Sequence, residues 1–152
     1  MDARMTNPAT LLPDAVTGVQ QIFKAMHRGG APAATLELVH LRISQINGCG
    51  ACVYGSVAKA EKGEETVERL IQVAAWRESS VFTPGERAAL AVAEAATRLA
   101  DTPDAVTDEM WAELNAHHDE RAVAAIILMV ALANFFNRIN TTVREPAGTT
   151  WG

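Results

Sequence analysis

A long uncharged segment near the end of the chain, Ala122–Asn137, sets the strongest limit on the fold. Its central part, AVAAIILMVALANFF, is apolar around the whole circumference of a helix. A helix of that kind lies at the centre of a core or is shared with another subunit. Asn134 interrupts the segment, which is also too short to span a bilayer comfortably. We therefore expect a buried helix that is capped by Asp119 and continues to about Val143.

The remaining segments also read as helices, and the chain is predicted to be all-α with about seven of them. Apolar residues recur at helical spacing, and no segment shows sustained period-2 alternation. The clearest helix start is the capping box Thr83–Glu86. The predicted helices cover approximately 13–28, 32–47, the cysteine pair to 62, 64–76, 84–100, 110–117 and 119–143. Residues 1–12 and the tail after 144 are expected to be irregular.

The second predicted helix carries apolar residues on two faces. One face repeats at i, i+3, i+7 and i+10, and Leu38 and Leu41 form the other. A helix with two apolar faces packs between two layers of neighbours. We therefore expect this helix to be sandwiched inside the fold.

Length and composition fit a single domain over residues 1–152. Hydrophobic residues make up 49% of the chain and charged residues 20%, which excludes a disordered protein. The net charge is −5 and the basic residues are scattered, so we expect no nucleic-acid partner. The first residues, MDARMTNPATLLPD, lack the apolar core of a secretory signal, which favours a cytoplasmic protein without a membrane span.

Cys49 and Cys52 are the only cysteines, and they are spaced C-x-x-C where one predicted helix ends and the next begins. In a reducing compartment such a pair is more often catalytic or metal-binding than structural. Gly48 and Gly50 fit a helix entry, which would place both sulfurs near the positive end of the helix dipole and lower the thiol pKa. Side chains at i and i+3 share a helix face, so the sulfurs can approach for reversible disulfide chemistry.

Two other interpretations of the pair remain open from spacing alone. Cysteine is often buried as a small hydrophobic residue, and two such residues in a helix core would have no chemistry. A zinc site would need two further ligands, and the adjacent His117 and His118 do not have the usual spacing. We expect neither a metal nor a bound cofactor.

Five blocks of sequence together resemble the carboxymuconolactone decarboxylase superfamily, in its alkylhydroperoxidase-D-like branch. The blocks are ELVHLR, SQINGCGACVYGSVAKA, ERLIQVAAWRES, FTPGERAALAVAEAATRLA and NFFNR, in the order that the family shows. The resemblance covers about residues 13–146. It implies an all-helical fold and a homo-oligomer, usually a trimer or a hexamer.

The resemblance also implies a role for each residue around the pair. Cys52 would attack a hydroperoxide, Cys49 would close the disulfide, and an external dithiol would reduce the pair again. Glu37, twelve residues before Cys49, would belong to a proton relay. Ser56 stands where the family has its relay histidine, and Ala51 where many members carry another histidine. Serine is not a base at neutral pH, so we expect a water between Glu37, Ser56 and Cys52 to substitute.

The expected function is therefore a thiol-dependent peroxidase or disulfide reductase that acts on hydroperoxides. One alternative is a decarboxylase-type enzyme, whose chemistry has no need for two cysteines. Another is a helical oligomer that senses redox state or is inert, and the serine at position 56 is its best support. His27, His40 and Arg138 are not expected to be catalytic. We expect His40 to pair with a carboxylate, and Arg138, if buried, to need Glu86 or Glu94.

Overall fold

The computed structural model describes residues 2–60 and 65–149, which are helical with no β-strand among them. The all-α prediction is confirmed. Eight α-helices lie within the described residues: α1 Pro8–Leu11, α2 Pro13–His27, α3 Ala33–Ile46, α4 Gly50–Ala60, α5 Val67–Gln72, α6 Pro84–Thr97, α7 Asp108–His117 and α8 Glu120–Val143. A 3₁₀ turn, Val73–Ala75, continues α5. The predicted helix end at Lys62 and the predicted start at Glu64 lie outside the described residues.

Local capping signals locate the helix starts correctly. The Thr83 hydroxyl accepts a hydrogen bond from the Glu86 amide at 3.2 Å, and the Glu86 carboxylate accepts one from the Thr83 amide at 2.7 Å. This capping box opens α6 as predicted. Asp119 accepts from the Ala122 amide at 2.8 Å and caps α8. These bonds satisfy amide groups that a helix start otherwise leaves unpaired.

The prediction of an irregular arm over residues 1–12 is wrong for residues 8–11, which form α1. The Asn7 side chain accepts from the Ala9 amide at 3.1 Å and caps α1, whose first residue is Pro8. The Arg4 amide donates to the Val143 carbonyl at 2.8 Å. The segment is therefore held against the end of α8, where it satisfies a carbonyl that the helix leaves free.

Helix α3 lies between two apolar clusters, as its two faces predict. Leu36, Val39 and Ile43 belong to a cluster formed with α6 and α8. Leu38 and Leu41 belong to a second cluster that also contains Leu70, Val73, Trp76, Phe82 and Leu90. Each such side chain stabilises the fold by about 1.5–3 kcal/mol when fully buried. Helix α3 is therefore packed on two faces in the core, and these contacts fix the position of its C-terminal end.

Helix α8 buries one side against α3 and exposes part of its apolar surface. Ile127, Leu128 and Phe135 are among its exposed residues. By length and composition α8 could cross a membrane, but half of its most apolar window is buried in the fold. One such helix is weak evidence for a membrane span.

The buried carboxylates of α6 find partners other than Arg138. Glu94 accepts from Arg42 at 2.9 Å and from Arg77 at 3.0 Å, and Glu86 accepts from Arg69 at 2.6 Å. Arg138 is exposed and donates to Asn134 on its own helix, so it does not need a carboxylate.

Candidate functional site

The turn between α3 and α4 brings the two cysteines together. Gly48 has φ +67°, a left-handed conformation that glycine adopts without strain and that ends α3. The Cys49 amide then donates to the Ser44 carbonyl at 2.9 Å, and α4 begins at Gly50. Cys49 and Cys52 form a disulfide with a Cα–Cα separation of 5.3 Å, within the usual range. The structure therefore shows the oxidised state of the pair.

The sulfur of Cys52 receives hydrogen bonds from two side-chain amides of α8. Asn137 Nδ2 lies 3.2 Å from Cys52 Sγ, and Asn140 Nδ2 lies 3.4 Å from it. Cys52 is 8% exposed and Cys49 only 1%. Donors aimed at a sulfur favour its anionic form. Of the two cysteines, Cys52 is the more exposed, and its sulfur receives two amide donors where that of Cys49 receives one, the Cys52 backbone amide at 3.3 Å.

Both amides are themselves held in place. Asn137 is fully buried, donates to Ser44 Oγ at 3.1 Å and accepts from Asn47 Nδ2 at 2.9 Å. Asn140 Oδ1 accepts from Asn7 Nδ2 at 3.2 Å. Because the acceptor oxygen of each amide is engaged, its NH₂ group is turned towards the sulfur.

Sequence reasoning missed these asparagines, although a signal was present. Asn134, Asn137 and Asn140 recur every three residues along one face of an apolar helix. Buried polar side chains are uncommon and usually have a specific partner. Such a repeat therefore indicates a polar network inside the core.

Glu37 and Ser56 face each other across the groove between α3 and α4. Both line a cavity of about 230 Å³ in this groove, and Ser56 is 1% exposed. Lys59 Nζ lies 3.9 Å from Glu37 Oε2. The structure thus brings Glu37 to the side of α4 that carries Ser56, one helical turn beyond Cys52.

His40 occupies the space next to Ser56. Its Nδ1 lies 3.1 Å from Ser56 Oγ, at hydrogen-bond distance, and 3.8 Å from Glu37 Oε1. The expectation that His40 lies beside a carboxylate is therefore confirmed, and the ring also contacts Ser56 on α4. The available signal was its position three residues after Glu37, on the same face of α3.

Glu37 is ionised at neutral pH. Burial raises the pKa of its carboxyl group, but contact with His40, the charge of Lys59 and the hydroxyl of Ser56 together lower the pKa below its ordinary value of 4.5. A carboxylate with a lowered pKa does not accept a proton near neutrality. Glu37 is thus suited to stabilise a cation beside it.

A large, mainly apolar cavity of about 620 Å³ opens onto Cys52. His40 and Asn140 also line it. Its apolar wall comes from α2, α4 and α8 and includes Val16, Val19, Phe23, Tyr54 and Phe136. Cys49 lines a second cavity of about 410 Å³, which shares Ala51, Asn140 and Glu145 with the first. Each cysteine therefore borders a cavity.

The other histidines lie apart from the cysteines. His117 Nε2 is 3.0 Å from Glu113 on its own helix, and His118 Nε2 is 3.0 Å from the Gly85 carbonyl. His27 Nδ1 contacts the Phe23 carbonyl at 2.8 Å. Over residues 2–60 and 65–149, no group of three or more histidine, cysteine or acidic side chains is arranged to hold a metal ion.

Known proteins are similar to this chain in sequence and in fold. The chain is 28% identical over 139 residues to the uncharacterised protein YdfG of Bacillus subtilis, covering 91% of this chain and 93% of that one. The structure matches that of ATU0492 from Agrobacterium tumefaciens, a protein of unknown function proposed to be the antioxidant defence protein AhpD. The TM-score is 0.87 at 28% identity, over 98% of this chain and 100% of that one.

A further structure with the same fold is that of the debrominase Bmp8. Its TM-score is 0.78 at 22% identity, and the match covers 92% of this chain and 74% of Bmp8. That likeness shows the fold alone. The model of the carboxymuconolactone decarboxylase family matches residues 13–95, more than half of the chain. The chain therefore belongs to the carboxymuconolactone decarboxylase family, in its alkylhydroperoxidase-D-like branch.

Proposed function

We propose that this protein is a thiol-dependent peroxidase that reduces hydroperoxides through the Cys49–Cys52 pair. The observation that carries the proposal is the setting of Cys52 Sγ. Cys52 lines the 620 Å³ cavity, and its Sγ receives two amide donors and forms a disulfide with Cys49. The likeness to a protein proposed to be AhpD supports the same activity.

The reaction needs only the two thiols, a hydroperoxide and an external dithiol. The Cys52 thiolate attacks one peroxide oxygen, the O–O bond breaks, and the other oxygen leaves as an alcohol after it takes a proton. Cys52 is then a sulfenic acid. The Cys49 thiol attacks that sulfur, hydroxide leaves with a proton as water, and the disulfide forms. The external dithiol is oxidised in turn and restores both thiols.

The shape of the site supports an organic hydroperoxide as substrate. Ligand pockets that are mainly apolar, with a few polar groups at one end, suit molecules of the same pattern. Here the polar lining includes His40 and Asn140 beside Cys52, together with Lys59 and Glu145. The neighbouring cavity, lined by Cys49, offers the dithiol access to the disulfide.

The proposal also includes the oligomeric state of the protein and its cellular compartment. The exposed apolar residues Ile127, Leu128 and Phe135 of α8 support a homo-oligomer, and the family resemblance implies a trimer or a hexamer. A pair that cycles between thiols and disulfide suits the cytoplasm, where disulfides are transient.

The two alternative functions explain less of the site. A decarboxylase-type activity makes no use of the cysteine pair, and a redox sensor would need no substrate cavity.

The test is hydroperoxide consumption by the reduced protein with dithiothreitol as the dithiol. We expect wild type to consume cumene hydroperoxide catalytically. Cys49→Ser should give one turnover and a sulfenic acid that dimedone traps, and Cys52→Ser should give neither. The Cys49→Ser variant is the matched control, because it removes the other half of the same disulfide. Catalysis by Cys52→Ser at the wild-type rate, or none by wild type above free dithiothreitol, would contradict the proposal.

A further inference from the structure

We infer that His40, on α3, is the proton-transfer residue for Cys52, in place of the histidine that relatives carry at the position of Ser56. The inference rests on the proposed function, because it assigns the acid–base step of that same site. It makes the serine part of a rearranged relay, in which the imidazole comes from the opposite helix.

The position of His40 carries the inference. Its side chain is 17% exposed, and it lines the same cavity as Cys52. Ser56 follows Cys52 by four residues on α4, so the two side chains lie on one face of that helix. His40 Nδ1 reaches that face at Ser56 Oγ, 3.1 Å away. An imidazole from α3 thus enters the space that a longer side chain at position 56 would need.

The contacts of Nδ1 leave the other ring nitrogen available. The Ser56 hydroxyl can accept a hydrogen bond from the Nδ1–H group of His40 and donate one towards the Glu37 carboxylate. The Nε2 atom of His40 makes no hydrogen bond to any described residue, so in this tautomer its lone pair is free to accept a proton. Ser56 is then a positioning residue that fixes the ring and its tautomer.

Glu37 would stabilise the imidazolium that forms. Its Oε1 is buried, has no hydrogen-bond partner among the described residues, and lies 3.8 Å from His40 Nδ1. A carboxylate at this distance can balance the charge of an imidazolium. Lys59 shares the same carboxylate from α4. Three further titratable groups line the cavity that His40 borders: Cys52, Tyr54 and Glu145.

The proton balance closes within the site. His40 Nε2 takes the proton of the Cys52 thiol, which leaves a thiolate and an imidazolium. The thiolate attacks the peroxide, the O–O bond breaks, and the departing oxygen takes the proton from the imidazolium. His40 is neutral again when the alcohol leaves. The transfer runs directly or through one water, as general acid–base catalysis allows.

The test measures the Cys52 thiol in the reduced Cys49→Ser protein, where it is the only thiol. The rate of iodoacetamide alkylation against pH reports the thiolate fraction. We expect His40→Gln to move the curve to higher pH, so that alkylation near neutrality slows roughly tenfold for each pH unit that the curve moves. His117→Gln, an exposed histidine paired with Glu113 on α7, is the matched control and should leave the curve unchanged.

Two further measurements keep the inference open to refutation. With Cys49 intact, His40→Gln should slow peroxide reduction by about 10²–10⁴-fold, the usual cost of losing a general base. The double variant His40→Gln/Ser56→His returns an imidazole to the groove and should recover the parent pH curve. Coincident curves for His40→Gln and His117→Gln, or a double variant that recovers nothing, would overturn the inference.

The outcomes separate this inference from the peroxidase proposal. If wild type consumes peroxide and His40→Gln does so at the same rate, the role of His40 is wrong and the peroxidase proposal stands. If wild type consumes no peroxide but the alkylation curve depends on His40, the peroxidase proposal is wrong. The proton-transfer role of His40 towards Cys52 then stands.

Discussion

Removing the side-chain amide of Asn137 should lower the unfolding free energy of the protein and also the reduction potential of the cysteine pair. Asn137→Ala breaks three hydrogen bonds: to Cys52 Sγ at 3.2 Å, to Ser44 Oγ at 3.1 Å, and from Asn47 at 2.9 Å. Each partner keeps another bond. Cys52 still accepts from Asn140, Ser44 still donates to the His40 carbonyl, and Asn47 still donates to Asn134.

The loss of stability follows from that count. Because no partner becomes wholly unsatisfied, the cost is that of the bonds themselves, about 1 kcal/mol each. The oxidised protein should therefore lose about 3 kcal/mol of unfolding free energy. For a chain of this size that corresponds to a fall in Tm of roughly 6–12 °C.

The reduced protein should lose more than the oxidised one. A hydrogen bond to a thiolate is charge-assisted and about twice as strong as a neutral one. The variant therefore destabilises the reduced protein, in which Cys52 is a thiolate, relative to the disulfide form by about a further 1 kcal/mol. For a two-electron couple this lowers the reduction potential by roughly 20 mV.

The assay is equilibration with dithiothreitol redox buffers at a pH where Cys52 is ionised, followed by alkylation of the free thiols. Urea unfolding of the oxidised protein measures the stability change separately. Asn115→Ala is the control, because that amide is exposed and, among the described residues, donates to the Trp111 carbonyl of its own helix α7. A potential that stays unchanged or rises while stability falls would show that Asn137 supports the fold but not the thiolate.

Two more variants test the groove and the cavity. The pKa of Glu37 is lowered in the folded protein, so its carboxylate stabilises the fold above the ordinary value of 4.5, and this contribution is lost as the pH falls through the lower folded value. The gap in urea midpoint between wild type and Glu37→Gln should therefore shrink from neutral pH to about pH 3, and a constant gap would contradict this. Ala58→Phe should narrow the 620 Å³ cavity and slow cumene hydroperoxide reduction about tenfold or more while sparing hydrogen peroxide. Equal loss for both peroxides would argue against an apolar substrate site.

Features that depend on neighbours in sequence could be predicted for this chain. The caps at Thr83 and Asp119 are set by residues within one turn, and the two faces of α3 follow from helical spacing. Helix α1 was missed because it has only four residues. So short a helix is not stable by itself. It forms because Arg4 and Asn7 bind the end of α8, a contact between the two ends of the chain.

The candidate site also combines features that depend on sequence neighbours with features that depend on residues distant in sequence. The i, i+3 spacing of Cys49 and Cys52 predicts that their sulfurs can meet, since it fixes a local distance. The amide donors cannot be found this way, because Asn137 is 85 residues from Cys52 in sequence. The contact between His40 and Ser56 depends on how α3 and α4 are rotated against each other. That rotation is decided by packing across the whole core.

The binding of the N-terminal segment matters for how the protein is produced. Arg4 donates to the Val143 and Thr142 carbonyls, and Asn7 donates to Asn140, the residue whose amide reaches Cys52. A purification tag fused to the first residues therefore joins a segment only two hydrogen bonds from the reactive sulfur. Rates and potentials measured on such a fusion would carry the influence of the tag. A tag that is cleaved before measurement avoids this influence.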